Sequence, residues 1–198
     1  MLGVDEAGRG PLAGPVAVGI IAVPEGFDVA KEFPGVKDSK LLSAKRRENI
    51  FQMLVARVAK GDARYAVEFE NAEAIDEEGI ATAVRRAIAR GVNALAPDSA
   101  LVRVMLDGAL RAPPEYAQET IINGDVLVPL ISLASIAAKV TRDRLMCELA
   151  KTYPAYGFEA HKGYGTKMHY EMLQKYGPCV IHRRSFIHLD RQTEKRYK

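Results

Sequence analysis

Four carboxylates stand where apolar runs meet glycine. Asp5 and Glu6 follow Leu2-Gly3-Val4 and precede Gly8, Asp107 closes the run Leu101–Leu106 ahead of Gly108, and Asp125 follows Gly124. In an open α/β sheet, ligands bind in the crevice beyond the strand ends, so groups at such positions can converge. Carboxylates brought that close repel one another unless a cation neutralises them. All-oxygen ligation by Asp and Glu suits Mg²⁺ or Mn²⁺ rather than zinc. Two such ions would activate water and stabilise a leaving oxygen, the chemistry of phosphodiester hydrolysis. Neighbouring strand residues point to opposite faces, so Asp5 and Glu6 can share a site only if the strand bends near Ala7-Gly8. Taken singly, each acid reads better as an ordinary turn or cap residue.

Other polar residues fall in patterns that suit nucleic acid. Ser132, Ser135, Lys139 and Arg142 recur at steps of three, four and three, which sets them on one helical face beside the small Ala134, Ala137 and Ala138. Such a stripe can bind a phosphate backbone, or it can be the solvent side of an amphipathic helix. The segment Tyr153–Thr166 mixes aromatics, glycines, His161 and Lys162. Tyr153, Tyr156 and Phe158 read as packing under a loop. Tyr164, between two glycines, is the better contact residue. His161, His169, His182 and His188 show no zinc-ligand spacing with Cys147 or Cys179, and read as hydrogen-bonding or phosphate-contacting groups. Gly8–Ala13 matches the dinucleotide fingerprint GxGxxA, but Pro15 and a β-branched strand follow where a helix would have to begin.

The elements that must hold these residues follow from periodicity. Strands are predicted at Leu2–Val4, Pro15–Val23, Arg64–Glu70, Leu101–Leu106 and Glu119–Ile122. The second is almost continuously apolar, which predicts burial on both faces. Helices are predicted from Ser43 as N-cap to about Lys60, from Ala72 to Leu95 with a break at Gly79, from Leu130 to Lys151, and from Thr166 to Tyr176. The order predicts a mixed α/β sheet covered by helices, residues 1–198 forming one catalytic domain with a C-terminal helical and loop part from about residue 151.

The chain has 198 residues, 48% hydrophobic and 27% charged, enough for a core that needs no disulfide. Two distant cysteines and no long apolar run predict a cytoplasmic protein with no membrane segment, and a monomer is expected. Net charge is +3, unevenly spread. Residues 139–198 carry 13 Lys and Arg against 6 Asp and Glu, and the first 138 carry 15 against 19. A basic C-terminal third beside an acidic remainder suits a nuclease, although a solvated basic tail would look the same.

Seven segments together resemble bacterial ribonuclease HII: GVDEAGRGPLAGPVAV at 3–18, KDSK at 37–40, LDG at 106–108, GD at 124–125, ISLASIAAKVTRD at 131–143, YPAYGFEAHKGYGT at 153–166 and HRRSF at 182–186. The resemblance spans nearly the whole chain. It implies a ribonuclease H-like mixed five-stranded sheet flanked by helices, with Asp5, Glu6, Asp107 and Asp125 as an Asp-Glu-Asp-Asp site for two Mg²⁺ or Mn²⁺ ions. It implies an endonuclease acting on RNA–DNA hybrids and on DNA duplexes containing ribonucleotides, cutting 5′ of the ribonucleotide to leave 3′-hydroxyl and 5′-phosphate ends. By the same likeness, the backbone of Gly8-Arg9-Gly10 reads the ribose 2′-OH and Tyr164 stacks on the sugar past the RNA-to-DNA junction. Lys37, Ser39, Lys40, Ser132, Ser135, Lys139, Arg142 and Lys162 become nucleic-acid contacts. Leu133 and Gly79 depart from the family's usual alanine and asparagine. A non-catalytic hybrid-binding module would show a lost carboxylate, and all four are present. A single-strand nuclease would have no use for a turn that reads the 2′-OH.

Overall fold

Residues 1–36 and 41–188 are described by the computed structural model. Strands β1 (Leu2–Ala7) and β2 (Val16–Ala22) pair antiparallel at the heart of the sheet, and every residue of β2 is buried, as its unbroken apolar run predicts. A short helix α1 (Val29–Glu32) leads to α2 (Ala44–Ala59), whose N-cap Ser43 accepts the amide of Arg46 at 3.2 Å. Then come β3 (Arg64–Glu70), α3 (Ala72–Glu78) and α4 (Ile80–Leu95), the two helices parted at Gly79. The chain continues through β4 (Arg103–Asp107), β5 (Ala117–Ile121), the single turn α5 (Gly124–Leu127) and the long α6 (Pro129–Thr152). It closes with α7 (Phe158–His161) and α8 (Lys167–Tyr176). The five-stranded sheet has the order β3-β2-β1-β4-β5, antiparallel among β1, β2 and β3 and parallel from β1 through β4 to β5.

Strand alternation divides the core into two layers. Val4, Val16, Val18, Ile20, Val104 and Leu106 face α4, where Val84, Ile88 and Val92 meet them. On the other face, Ile21 packs with Leu133, Ala134 and Ala137 of α6 and with Ile50 and Leu54 of α2. Helix α6 lies almost on the backbone of β2: a Cβ on Gly19 would stand 2.2 Å from the Ala134 carbonyl oxygen. Close approach of this kind requires glycine on the strand and alanine on the helix. Leu133 is fully buried in this layer. A third cluster joins Leu12 and Ala13 to Met146, Tyr156, Phe158 and Leu173. Here the Tyr156 and Phe158 rings stack at 5.4 Å, in line with the expected packing role. No helix among the described residues is long and apolar enough to cross a membrane.

Candidate active site

Because β1, β4 and β5 are parallel, their carboxyl ends lie along one edge of the sheet. Strand β1 outruns β4: their pairing stops at Val4–Leu106, while β1 continues to Ala7. Asp5 and Glu6 therefore sit where β1 has lost its β4 neighbour, beside Asp107 at the end of β4. Asp5 is buried and faces α6, accepting from the Glu6 amide at 2.7 Å and from the Ser135 hydroxyl. Burial, with the charges of Glu6 and Asp107 added, holds the Asp5 carboxyl well above the usual carboxylate range despite those hydrogen bonds. Asp125 follows Asn123, whose left-handed backbone (φ 56°) turns the chain into α5. The amide of Asp125 donates to Asp107 Oδ1 at 3.3 Å. The bend on which a shared site would depend comes only at Gly8, after the acidic pair. Asp5 and Glu6 keep regular register with Gly19 and Val18, and so begin on opposite faces of the sheet. One oxygen of Glu6 touches Arg9 at 3.4 Å, and the other, Oε2, is buried without a hydrogen-bond partner. Among the described residues, no three His, Cys, Asp or Glu side chains stand close enough to enclose an ion in the positions they occupy.

After β1 the chain turns at Gly8 (φ 85°), where a Cβ would strike the Arg142 guanidinium. Two buried arginines hold this turn from behind. Arg183 donates to the carbonyls of Gly8 (2.7 Å), Arg9 (2.9 Å) and Gly14 (2.9 Å). Arg142 donates to Pro15 (2.8 Å), Ala13 (3.2 Å) and Lys162 (3.0 Å). Burial, and the neighbouring Arg142, lower the Arg183 pKa to about 9, which still leaves a cation at neutral pH. In a trans peptide the C=O and the following N–H point opposite ways. With the Gly8 and Arg9 carbonyls turned inward to Arg183, the amides of Arg9 and Gly10 face away from it, at two exposed residues. Tyr164 lies nearby, 42% exposed, its ring 5.7 Å from Lys139 Nζ and 5.9 Å from the Arg142 guanidinium carbon.

The ribonuclease HII family model matches residues 2–189. A ribonuclease HII of Burkholderia thailandensis is 46% identical over 184 residues, 93% of this chain and 81% of that protein. The chain belongs to the ribonuclease HII family. It is an enzyme, a ribonuclease H. Its fold is similar to the ribonuclease HII in a PCNA complex from Archaeoglobus fulgidus (TM-score 0.73, 24% identity, 97% of this chain and 98% of that one). It is also similar to a Bst-RNase HIII in complex with Mn²⁺ (TM-score 0.63, 20% identity, 89% and 62%).

Seen as a ribonuclease HII, the chain corrects part of the expected nucleic-acid face. The α6 stripe turns inward. Ser132 is fully buried and donates to the carbonyls of Asp125 and Val128, tying α5 to α6. Ser135 is buried against Asp5, and Arg142 is fully buried with its guanidinium donating to three backbone carbonyls. These three cannot grip phosphate from where they lie, because α6 is a central helix packed on the sheet and its polar face meets other protein. Lys139 is part-exposed and paired with Asp143 at 2.8 Å. Lys162 is part-exposed, in a left-handed backbone conformation (φ 52°), with its amine on the Glu159 carbonyl. Lys37, Ser39 and Lys40 lie outside the described residues. The histidines separate by burial: His161, His169 and His182 are interior hydrogen-bonding groups, and His188 is exposed. Sequence reasoning missed Arg183 as the clamp on the turn. It also missed Asp76, whose carboxylate accepts the amides of Arg184 (2.7 Å) and Ser185 (3.0 Å) and so anchors the segment that carries Arg183. The HRRSF run marked the place without showing that its first arginine points inward.

Proposed function

We propose that this ribonuclease cuts on the 5′ side of a ribonucleotide held in duplex, in RNA–DNA hybrids and at single ribonucleotides embedded in DNA, leaving 3′-hydroxyl and 5′-phosphate ends. The observation that carries this reading is the Gly8–Gly10 turn. Its carbonyls are held from behind by Arg183, and its outward amides stand one turn of chain from Asp5 and Glu6. Fixed amide donors suit the 2′-OH, which accepts hydrogen bonds and which DNA lacks.

Asp5, Glu6, Asp107 and Asp125 would hold two divalent ions, Mg²⁺ or Mn²⁺. The donor set fits: every ligand atom is a carboxylate oxygen, Glu6 Oε2 is buried without a partner, and Asp5 is burdened by neighbouring negative charge. Asp5 and Asp107 are near enough to act on each other's charge and the Asp125 amide reaches Asp107, while Glu6, which leaves β1 on the opposite face, would have to turn toward them to complete the set. When bound, such ions supply an activated water and neutralise charge on the leaving 3′-oxygen. The protein's own part is placement. Ser135 fixes Asp5, the Asp125 amide fixes Asp107, and the turn selects the ribose. Tyr164 offers a ring face to the sugar beyond the junction, with Lys139 and Lys162 at its flanks for phosphate.

The test is a duplex with one embedded ribonucleotide against the same duplex with deoxyribose there. Loss of one hydroxyl from a site built to pair it should slow cutting by about 10⁴-fold. Mass analysis of the products should find 3′-hydroxyl and 5′-phosphate ends. Comparable cutting of the all-DNA duplex would overturn the role of the turn.

A further inference from the structure

Behind Tyr164 lies a chain of imidazoles whose protons are fixed by their partners. The Tyr164 carbonyl can only accept, so His169 Nδ1, at 2.9 Å from it, carries a proton. The amide of Cys179 donates to His182 Nδ1 at 2.9 Å, so that nitrogen is bare and the His182 proton sits on Nε2. His182 Nε2 lies 3.0 Å from His169 Nε2, which must then accept. The bonds run one way: Cys179 amide to His182, His182 to His169, His169 to the Tyr164 carbonyl. Each imidazole is neutral, because a second proton on either ring would set two donors face to face. Burial pushes both down to about 4, consistent with neutral rings at pH 7. His161 stacks on His169 at 4.4 Å with its own ends satisfied, Nε2 donating to Tyr156 and Nδ1 accepting from Gly163.

The relay begins one residue from the clamp on the turn. Arg183 holds the Gly8 and Arg9 carbonyls, and its neighbour His182 reaches Tyr164 through His169. The Tyr164 loop is also laid against the segment after the turn. The Gly163 carbonyl accepts the amides of Leu12 (2.8 Å) and Ala13 (3.3 Å), at a position where any Cβ would meet the Ala13 oxygen at 2.2 Å. We infer that His169 and His182 are positioning residues for substrate discrimination: their one-way hydrogen-bond relay sets Tyr164 in register with the Gly8–Gly10 turn. This rests on the reading of Tyr164 as a substrate contact.

The experiment compares kcat/KM on a duplex with one embedded ribonucleotide and on a uniform RNA–DNA hybrid, for the full chain and three variants. Asparagine can present an amide N–H where His169 Nδ1–H now stands, whereas phenylalanine fills the volume and donates nothing. His169→Phe should lower the embedded-ribonucleotide value relative to the hybrid by about tenfold, the scale of one lost hydrogen bond. His169→Asn should keep most of that preference. Equal losses in the two variants, or equal losses on the two substrates, would mean that the histidine only packs. Tyr164→Ala separates the two readings. If it leaves the preference unchanged, Tyr164 is no substrate contact and the relay falls with it. If it removes the preference while folded His169→Phe keeps it, the Tyr164 reading stands and the relay is refuted. Should His169→Phe fail to fold, ring ¹⁵N shifts of the wild-type protein still decide. A neutral His169 protonated on Nδ1, with His182 protonated on Nε2, is expected, and His169 protonated on Nε2 would refute the relay.

Discussion

Asp107 shows how much one side chain carries at this site. It ends a central strand, adds negative charge to a buried Asp5, and accepts the amide that seats Asp125. Asp107→Asn preserves the shape, and its amide oxygen can still accept that hydrogen bond. The charge that would bind a cation is gone, and so is part of the repulsion on Asp5. Cleavage should fall by about 10²–10³-fold or more, the scale seen when one electrostatic contact to a transition state is removed. The melting temperature in EDTA should hold or rise, because the substitution relieves like-charge crowding in the metal-free protein. Cleavage near the wild-type level at saturating Mg²⁺ would remove Asp107 from the proposed metal site.

At the scale of elements, the turn after β1 and the segment around HRRSF act as one piece held by buried guanidiniums. An arginine presents a planar fork of donors, and Arg183 uses it on three carbonyls from residues 8–14. Lysine at 183 gathers its three donors on one nitrogen and cannot spread them over three separate carbonyls, leaving some of these buried without partners. Each such group costs about 1–3 kcal/mol, so Arg183→Lys should lose about 2–4 kcal/mol in urea unfolding. Activity on an embedded ribonucleotide should fall beyond what stability explains, since the amides of Arg9 and Gly10 are aimed by the same bonds. An unfolding midpoint equal to that of the wild type would show that the turn holds itself. Asp76 serves this piece from α3: burial raises its pKa, and hydrogen bonds from Ser185 and Arg184 outweigh that and lower it.

Across the whole molecule, the basic C-terminal third is less available than its charge suggests. Arg142 and Arg183 are interior, and Lys139, Arg144, Lys151 and Lys167 face Asp143, Glu48, Glu148 and Glu171. Surface pairs of this kind are weak, so those cations can exchange a carboxylate for a phosphate at little cost. Hybrid binding should therefore weaken with salt. A grip on about four phosphates gives a slope near −4 when the logarithm of the association constant is plotted against that of salt concentration. Asp107→Asn in EDTA, where cutting is not expected, permits the measurement by anisotropy. A slope near zero would mean that the charge asymmetry has no part in holding substrate.

What could be read from the sequence is what local periodicity and composition control. The buried β2, the Ser43 cap, the break at Gly79 and the apolar strand ending on Asp107 all follow from neighbours along the chain. So does the separation of Tyr153, Tyr156 and Phe158, which pack, from an exposed Tyr164. Spacing also put Ser132, Ser135 and Arg142 on one face of α6, but no local rule says what that face meets. That was decided by α6 lying across the middle of the sheet, where a hydroxyl or guanidinium finds backbone carbonyls and Asp5 in place of water. The clamp of Arg183 on Gly8, 175 residues apart, and the His182–His169 bond are likewise products of packing. A buried donor must find an acceptor, and only the folded chain determines which one is near.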